Sequence, residues 1–149
     1  MERKYYSYQE FLEDSKELLT QIKSYEPDCI VSIARGGMCL GHILSQTLDL
    51  RDIFTINSVL YDGNEKNDRQ KIFNIPELSN YNRVLVVDDI VDSGETAYAI
   101  VELLKNKYER LDIKLASLFY KETATIQPDY KVKEAKEWID FFWEVDLRD

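Results

Sequence analysis

The sequence predicts a single α/β domain built on a parallel sheet. Three observations carry that prediction. Apolar runs of strand length alternate along the chain with segments of helical period. The runs at Cys29–Ala34 (CIVSIA, apolar but for Ser32) and 84–87 (VLVV) lack polar alternation, as strands covered on both faces do. A chain of 149 residues, 44% of them hydrophobic, can bury one proper core. Gly and Pro number only 5 and 3, no repeat or linker interrupts the pattern, and residues 1–149 read as one domain.

Ser7-Tyr8-Gln9-Glu10 has the S-x-x-E form of a capping box, and Phe11, Leu12, Leu18, Leu19 and Ile22 then recur at helical spacing. A helix over 8–24 follows. Pro27-Asp28 closes the connection to the strand Cys29–Ala34, which runs straight into Arg35-Gly36-Gly37 and a helix over 40–48. Residues 53–60 are rich in β-branched side chains and predict the next strand. Residues 61–73 (YDGNEKNDRQKIF) are polar with no apolar period until Ile72, which predicts a long functional loop. Residues 84–87 form the central strand, 96–108 a helix and 113–119 a further strand. Residues 127–149 hold Pro128, a short run at 130–132 and the aromatic segment 138–143. Gly36, Gly37, Gly41 and Gly94, four of the five glycines, fall just beyond two predicted strand ends. That edge of an open α/β sheet is where ligands bind.

The stretch RVLVVDDIVDSGETA (83–97) sets three aspartates between a buried strand and a helix. Ser93, Gly94, Glu95 and Thr96 offer backbone N–H groups and hydroxyls at a helix start, a cradle for a monophosphate. Asp88 and Asp89 lie upstream. Carboxylates accept hydrogen bonds, so the pair suits vicinal hydroxyls or a hydrated Mg²⁺. A phosphate cradle beside a diol clamp describes a sugar phosphate, with Asp92 nearest the reacting carbon and able to exchange a proton. An N-cap role accounts for one aspartate, not for three.

Other classes are excluded. A formal charge of −9 leaves no broad basic face for nucleic acid. Cys29 and Cys39 fit neither zinc spacing nor CxxC, and read as reduced, mostly buried thiols of a cytoplasmic protein. His42 is the only histidine and reads as a helix residue without chemistry, which rules out a multi-histidine metal site. There is no G-x-S-x-G elbow, P-loop or G-x-G-x-x-G fingerprint. VLVVDD is like the start of a receiver domain, but it comes past mid-chain, too late for the rest of that fold. No signal peptide or membrane span is expected.

The segment 84–96 (VLVVDDIVDSGET) resembles the phosphoribosyl-pyrophosphate (PRPP) motif of type I phosphoribosyltransferases: apolar strand, two acidic residues, two apolar residues, then D-[ST]-G-x-T. Ile33-Ala34-Arg35-Gly36-Gly37 resembles the pyrophosphate loop of the bacterial xanthine-guanine branch of that family. Phe119-Tyr120-Lys121, Asp129-Tyr130, Trp138-Ile139 and Trp143-Glu144 are similar to its purine-binding end. The resemblance implies a type I phosphoribosyltransferase-like fold: an open, mainly parallel sheet flanked by helices, with a small C-terminal base-binding hood over 125–149 and a mobile loop. It implies that Asp88 and Asp89 bind the ribose hydroxyls, with Asp89 also holding Mg²⁺. It makes Asp92 the proton acceptor at purine N7, and Ser93, Gly94, Glu95 and Thr96 the wrap around the 5′-phosphate. Arg35 and Gly36 would bind pyrophosphate across a strained peptide bond. Lys121 would donate to the 6-oxo group, Trp138 would stack on the base, and the Ile139 backbone would meet its 2-substituent. Glu144 stands where the branch usually has Asp, and Leu60-Tyr61 where the mobile loop often begins Ser-Tyr.

The implied reaction converts a 6-oxopurine (xanthine, guanine or hypoxanthine) and PRPP to the nucleoside 5′-monophosphate and pyrophosphate, in a homodimer or homotetramer. The alternative is a PRPP- or nucleotide-binding regulatory protein of the same fold without catalysis. The retained Asp92, Lys121 and Trp138 argue for the enzyme.

Overall fold

A computed structural model of the chain describes residues 2–61 and 69–148. In chain order the elements are β1 (Arg3–Tyr6), α1 (Tyr8–Ile22), β2 (Cys29–Ala34), α2 (Met38–Leu48), β3 (Ile53–Tyr61) and β4 (Arg69–Phe73). They continue with β5 (Arg83–Val91), α3 (Glu95–Lys107), β6 (Asp112–Tyr120), β7 (Tyr130–Glu134) and β8 (Trp138–Phe141). Six strands form one sheet in the order β4-β3-β2-β5-β6-β7, and β1 pairs with β8 in a separate two-stranded sheet. Every pairing in the large sheet is parallel except β3 with β4. This is the predicted α/β class.

The apolar runs are explained by burial on both faces. On β5, Leu85 and Val87 pack with Leu18, Leu40 and Leu44, beneath α1 and α2. Val84 and Val86 turn the other way and pack with Ile100 and Leu104 of α3. Alternate side chains thus serve opposite layers, and neither set can be polar. The capping box is present: Glu10 N–H donates to Ser7 Oγ (3.1 Å), and Ser7 N–H donates to Glu10 Oε2 (2.9 Å). The helix ends at Ile22 rather than at 24. A short 3₁₀ turn, Lys23–Tyr25, and a left-handed Glu26 (φ +51°) stop it before Pro27.

Two segments differ from the sequence reading. Residues 69–73, expected in a loop, form β4, which pairs antiparallel to β3 (Asn57 opposite Phe73, Leu60 opposite Gln70). An edge strand needs no continuous apolar run and tolerates charge, so RQKIF carries no strand signature. The rest of the expected mobile loop, 62–68, lies outside the described residues. The second segment is β1, which the polar N-terminal sequence did not announce. It pairs parallel with β8 (Arg3 opposite Trp138, Tyr6 opposite Phe141). Within 125–149, β7 joins the large sheet, while β8 joins β1 in the two-stranded sheet.

Tyr6 fastens this small sheet to the core. Its ring meets Phe119 (5.0 Å) and Phe141 (5.7 Å) edge-on. Its hydroxyl donates to the buried Asp14 (2.6 Å), which also pairs with Lys133 at 3.1 Å. Burial and the Asp14 carboxylate hold the Tyr6 phenol far above its ordinary range. Tyr6→Phe removes one buried, charge-assisted hydrogen bond and is expected to cost about 1.5–3 kcal/mol in a urea melt. An unchanged melt would show that Lys133 alone satisfies Asp14.

Candidate active site

β5 runs on to Val91, four residues beyond the apolar run at 84–87, and so carries Asp88 and Asp89 within the strand, not in the turn after it. Pairing with β6 (Asp88 opposite Ser117, Ile90 opposite Phe119, Val91 opposite Tyr120) holds the backbone extended there. Sheet pairing overrides the poor strand preference of aspartate. The two neighbouring carboxylates border different cavities. Asp88 lines a small cavity of about 100 Å³ with Ser93, Gly94 and Thr96. Asp89 lines a large cleft of about 850 Å³ with Arg35, Gly36 and Ser58.

Each carboxylate also accepts a hydrogen bond from the next backbone N–H, Asp89 N to Asp88 Oδ1 (2.8 Å) and Ile90 N to Asp89 Oδ1 (2.7 Å). Burial lifts the Asp88 carboxyl well above the ordinary carboxylate range, and the adjacent Asp89 charge adds to it. Asp89 is raised as well, chiefly by burial, against the lowering pull of its hydrogen bonds. Among the described residues no cation pairs with either. No group of three or more His, Cys, Asp or Glu that could hold a metal occurs among the described residues. Two neighbouring uncompensated carboxylates nonetheless fit Mg²⁺, which takes one or two carboxylates and completes its shell with water and substrate phosphate.

The turn Asp92-Ser93-Gly94 leads into α3. Gly94 has φ +86°, and a Cβ there would come within 2.9 Å of Thr125 N, so conformation and space both demand glycine. Ser93 C=O accepts from Thr125 N–H (2.8 Å), which clamps the turn to the segment after β6. Glu95 is the first residue of α3, and its N–H donates to Ser93 Oγ (3.2 Å). Thr96 Oγ1 accepts from Gln70 Nε2 (2.6 Å). A Ser/Thr-lined cradle at a helix start suits an anion.

On the cleft side the Ala34–Arg35 peptide is cis. A Cβ on Gly36 would lie 2.6 Å from Asp89 Oδ2, so the loop packs directly on that carboxylate. Cys39 is only half-buried and lines this cleft, while Cys29 is buried; both are free thiols. Burial and the Asp89 charge push the Cys39 thiol up, away from reactivity. His42 sits exposed on α2, outside the site, as expected.

A third cavity, of about 320 Å³, holds Asp92, Lys121, Trp138, Ile139 and Glu144. Lys121 Nζ lies 2.8 Å from Asp92 Oδ1. Trp138 is 53% exposed at the rim, with the Arg3 guanidinium 5.8 Å from its ring centroid, whereas Ile139 is buried. Trp143 is a core aromatic that also lines the large cleft, stacked on Phe141 at 4.7 Å. Glu144 borders both cavities. Asp89 joins the large cleft to this pocket, and Asp92 joins the pocket to the small cradle. The site residues read from the sequence, Glu95 excepted, therefore border three adjoining cavities. Sequence reasoning missed Ser58, Gln70, Thr125 and Arg148. Nothing in their local sequence signals a ligand, because folding alone brings them to the site.

A family model described as phosphoribosyl transferase domain matches residues 3–149. The chain is similar to a solved Helicobacter pylori xanthine-guanine-hypoxanthine phosphoribosyltransferase, at 44% identity and a TM-score of 0.92, over 98% of this chain and 96% of that one. It is similar to a purine phosphoribosyltransferase from Pyrococcus horikoshii at 30% identity and a TM-score of 0.87, over 100% and 99%. Among curated proteins, a xanthine-guanine phosphoribosyltransferase of Cereibacter sphaeroides is 28% identical over 95% of this chain and 87% of its own length. No helix among the described residues is long and apolar enough to cross a membrane.

Proposed function

The chain belongs to the phosphoribosyl transferase family, and from that premise we propose that it is a purine-salvage pentosyltransferase. It joins a 6-oxopurine (xanthine, guanine or hypoxanthine) to PRPP and releases the nucleoside 5′-monophosphate and pyrophosphate. The observation that carries this reading is the Lys121–Asp92 pair, 2.8 Å apart in a pocket walled by Trp138 and Ile139. A free 6-oxopurine in its N7–H form presents the O6 acceptor and the N7–H donor side by side on one edge. An ammonium beside a carboxylate matches that edge, with Lys121 donating to O6 and Asp92 facing N7.

The residues then divide the work. Thr96, Ser93 and the N–H groups of Gly94 and Glu95 hold the 5′-phosphate. Asp88 and Asp89 accept from the ribose hydroxyls. Arg35 and the Gly36 loop meet the diphosphate on the cleft side. Trp138 stacks on the base and the Ile139 backbone meets its 2-substituent. A bond forms from the purine nitrogen to C1 of the ribose as the bond from C1 to the diphosphate oxygen breaks, and Asp92 accepts the purine's proton. The ribose becomes cationic between these events, and the carboxylates beneath it favour that charge. Mg²⁺ would be held at Asp89 together with the diphosphate, and supplies charge neutralisation for the leaving group. The reading includes a cytoplasmic homodimer or homotetramer as the working form. The exposed Tyr5, Tyr8 and Tyr98 support such assembly.

The test is a nucleotide-forming assay with Mg²⁺-PRPP and each of the three purines in turn. The expected result is nucleoside monophosphate and pyrophosphate in equal amounts from at least one base. Tight PRPP binding without nucleotide from any base would overturn the enzyme in favour of a regulatory protein of the same fold.

A further inference from the structure

Gln70 is half-buried on β4, the strand absent from the sequence reading. Its single amide nitrogen donates to two hydroxyls, Thr96 Oγ1 at 2.6 Å and Ser58 Oγ at 2.8 Å. The two acceptors border different cavities. Thr96 lines the small cradle, and Ser58 lines the large cleft beside Arg35 and Asp89. One side chain thus spans both cavities.

The direction of these bonds matters. An amide NH₂ has two protons and no lone pair to offer, so each hydroxyl must accept from it. A hydroxyl that accepts this way keeps its own proton for another partner. We propose that Gln70 is a positioning residue that orients the Thr96 and Ser58 hydroxyls as donors toward the two phosphate-bearing ends of the substrate. This rests on the function proposed above and deepens it. Gln70 need touch no substrate atom. It fixes which way two hydroxyl dipoles point, so that the cradle is preset for an anion before one arrives. It also ties β4 to the first turn of α3, 26 residues away in sequence.

Reversing the amide's polarity is the sharpest test. Gln70→Glu replaces the donor by a charged acceptor, so both hydroxyls turn their protons away from the phosphates. Gln70→Met removes the donor and keeps the length. Titration calorimetry with GMP and with guanosine separates the phosphate from the rest of the ligand. Gln70→Met is expected to weaken GMP about tenfold, on the scale of one hydrogen bond to a charged group, and to leave guanosine within about twofold. Gln70→Glu is expected to weaken GMP substantially more than Gln70→Met does. PRPP, which reaches both hydroxyls, should lose more than GMP in each variant. In a Thr96→Val background Gln70→Met should have no further effect on GMP, because its route to the phosphate is gone.

Equal loss for GMP and guanosine would overturn the proposal and leave Gln70 a purely structural tie. So would additivity with Thr96→Val, or equal effects of Met and Glu. If one variant fails to fold, the other still decides the phosphate-against-nucleoside comparison. Wild-type protein that binds none of GMP, XMP and IMP would overturn the functional reading itself, and whichever of the three it binds serves in place of GMP. Wild-type protein that binds GMP, with Gln70→Met binding it equally well, would overturn only this inference.

Discussion

Asp92→Asn is expected to lower kcat by about 10²–10⁴-fold, the range for loss of a positioned proton acceptor, with the KM for PRPP changed only a few-fold. Asparagine keeps the shape of the side chain and an oxygen for Lys121, which lies 2.8 Å from Asp92 Oδ1. What it loses is the capacity to take a proton. A parallel fall in kcat and kcat/KM identifies an interaction made in the transition state and not in the ground state. Unchanged kcat would remove Asp92 from catalysis and leave it as the counter-charge of Lys121. A rise in the KM for the purine alone would make the pair a base-recognition device.

Asp88→Asn is expected to stabilise the free protein while disabling it. Burial and the Asp89 charge raise the Asp88 carboxyl well above the usual range. A carboxyl that titrates higher in the folded chain than in the unfolded one opposes folding once it is ionised in both. The folded protein therefore gains stability from this group as pH falls through its raised range, and loses that gain as pH rises. Asparagine carries no charge, yet can still accept from Asp89 N–H, a bond of 2.8 Å in the native protein. The variant should melt a few degrees higher at pH 7. The difference should vanish as pH falls to about 4, the ordinary range in which aspartate is protonated in either state. Its kcat/KM for PRPP should fall roughly 10- to 100-fold, from the loss of a charged acceptor for a ribose hydroxyl. A lower melting temperature at pH 7 would mean that the carboxylate is already compensated without substrate.

The parts of the fold that were legible are those whose signal is local. CIVSIA reads as a buried strand because both of its faces are covered, and its bounds, Cys29–Ala34, match the observed strand. The capping box at Ser7 fixes the start of α1. β5 was placed correctly but ended four residues early, because Asp88 and Asp89 interrupt the apolar run while pairing with β6 continues. β1 and β4 were missed for a related reason. Each is short or polar, and each is made a strand by its partner. At the site, Asp88, Asp89, Asp92, Ser93, Gly94 and Thr96 stand out because they are contiguous in 83–97, and they border adjoining cavities. Gln70 and Thr125 were not legible, since each reaches the cradle from an element distant in sequence. The family resemblance placed Trp138 at the base, and its 53% exposure at the rim separates it from Trp143, packed against Phe141.

The pairing of β1 with β8 has a consequence for biosynthesis. Arg3 lies beside Trp138, and Trp138 N–H donates to Glu2 C=O (3.0 Å), so β1 and β8 meet beside the cavity that Trp138 lines. The phosphate cradle is built largely from one short contiguous stretch. A ribosome that has released residues up to the end of α3 has already delivered most of the cradle. The pocket walled by Trp138 and Ile139 must await β8, the last strand among the described residues, and its pairing with β1 joins distant partners in the chain, a slow kind of contact to form. A chain clipped before β8 would therefore lose Trp138 and Ile139 while keeping the turn at Ser93 and its clamp to Thr125.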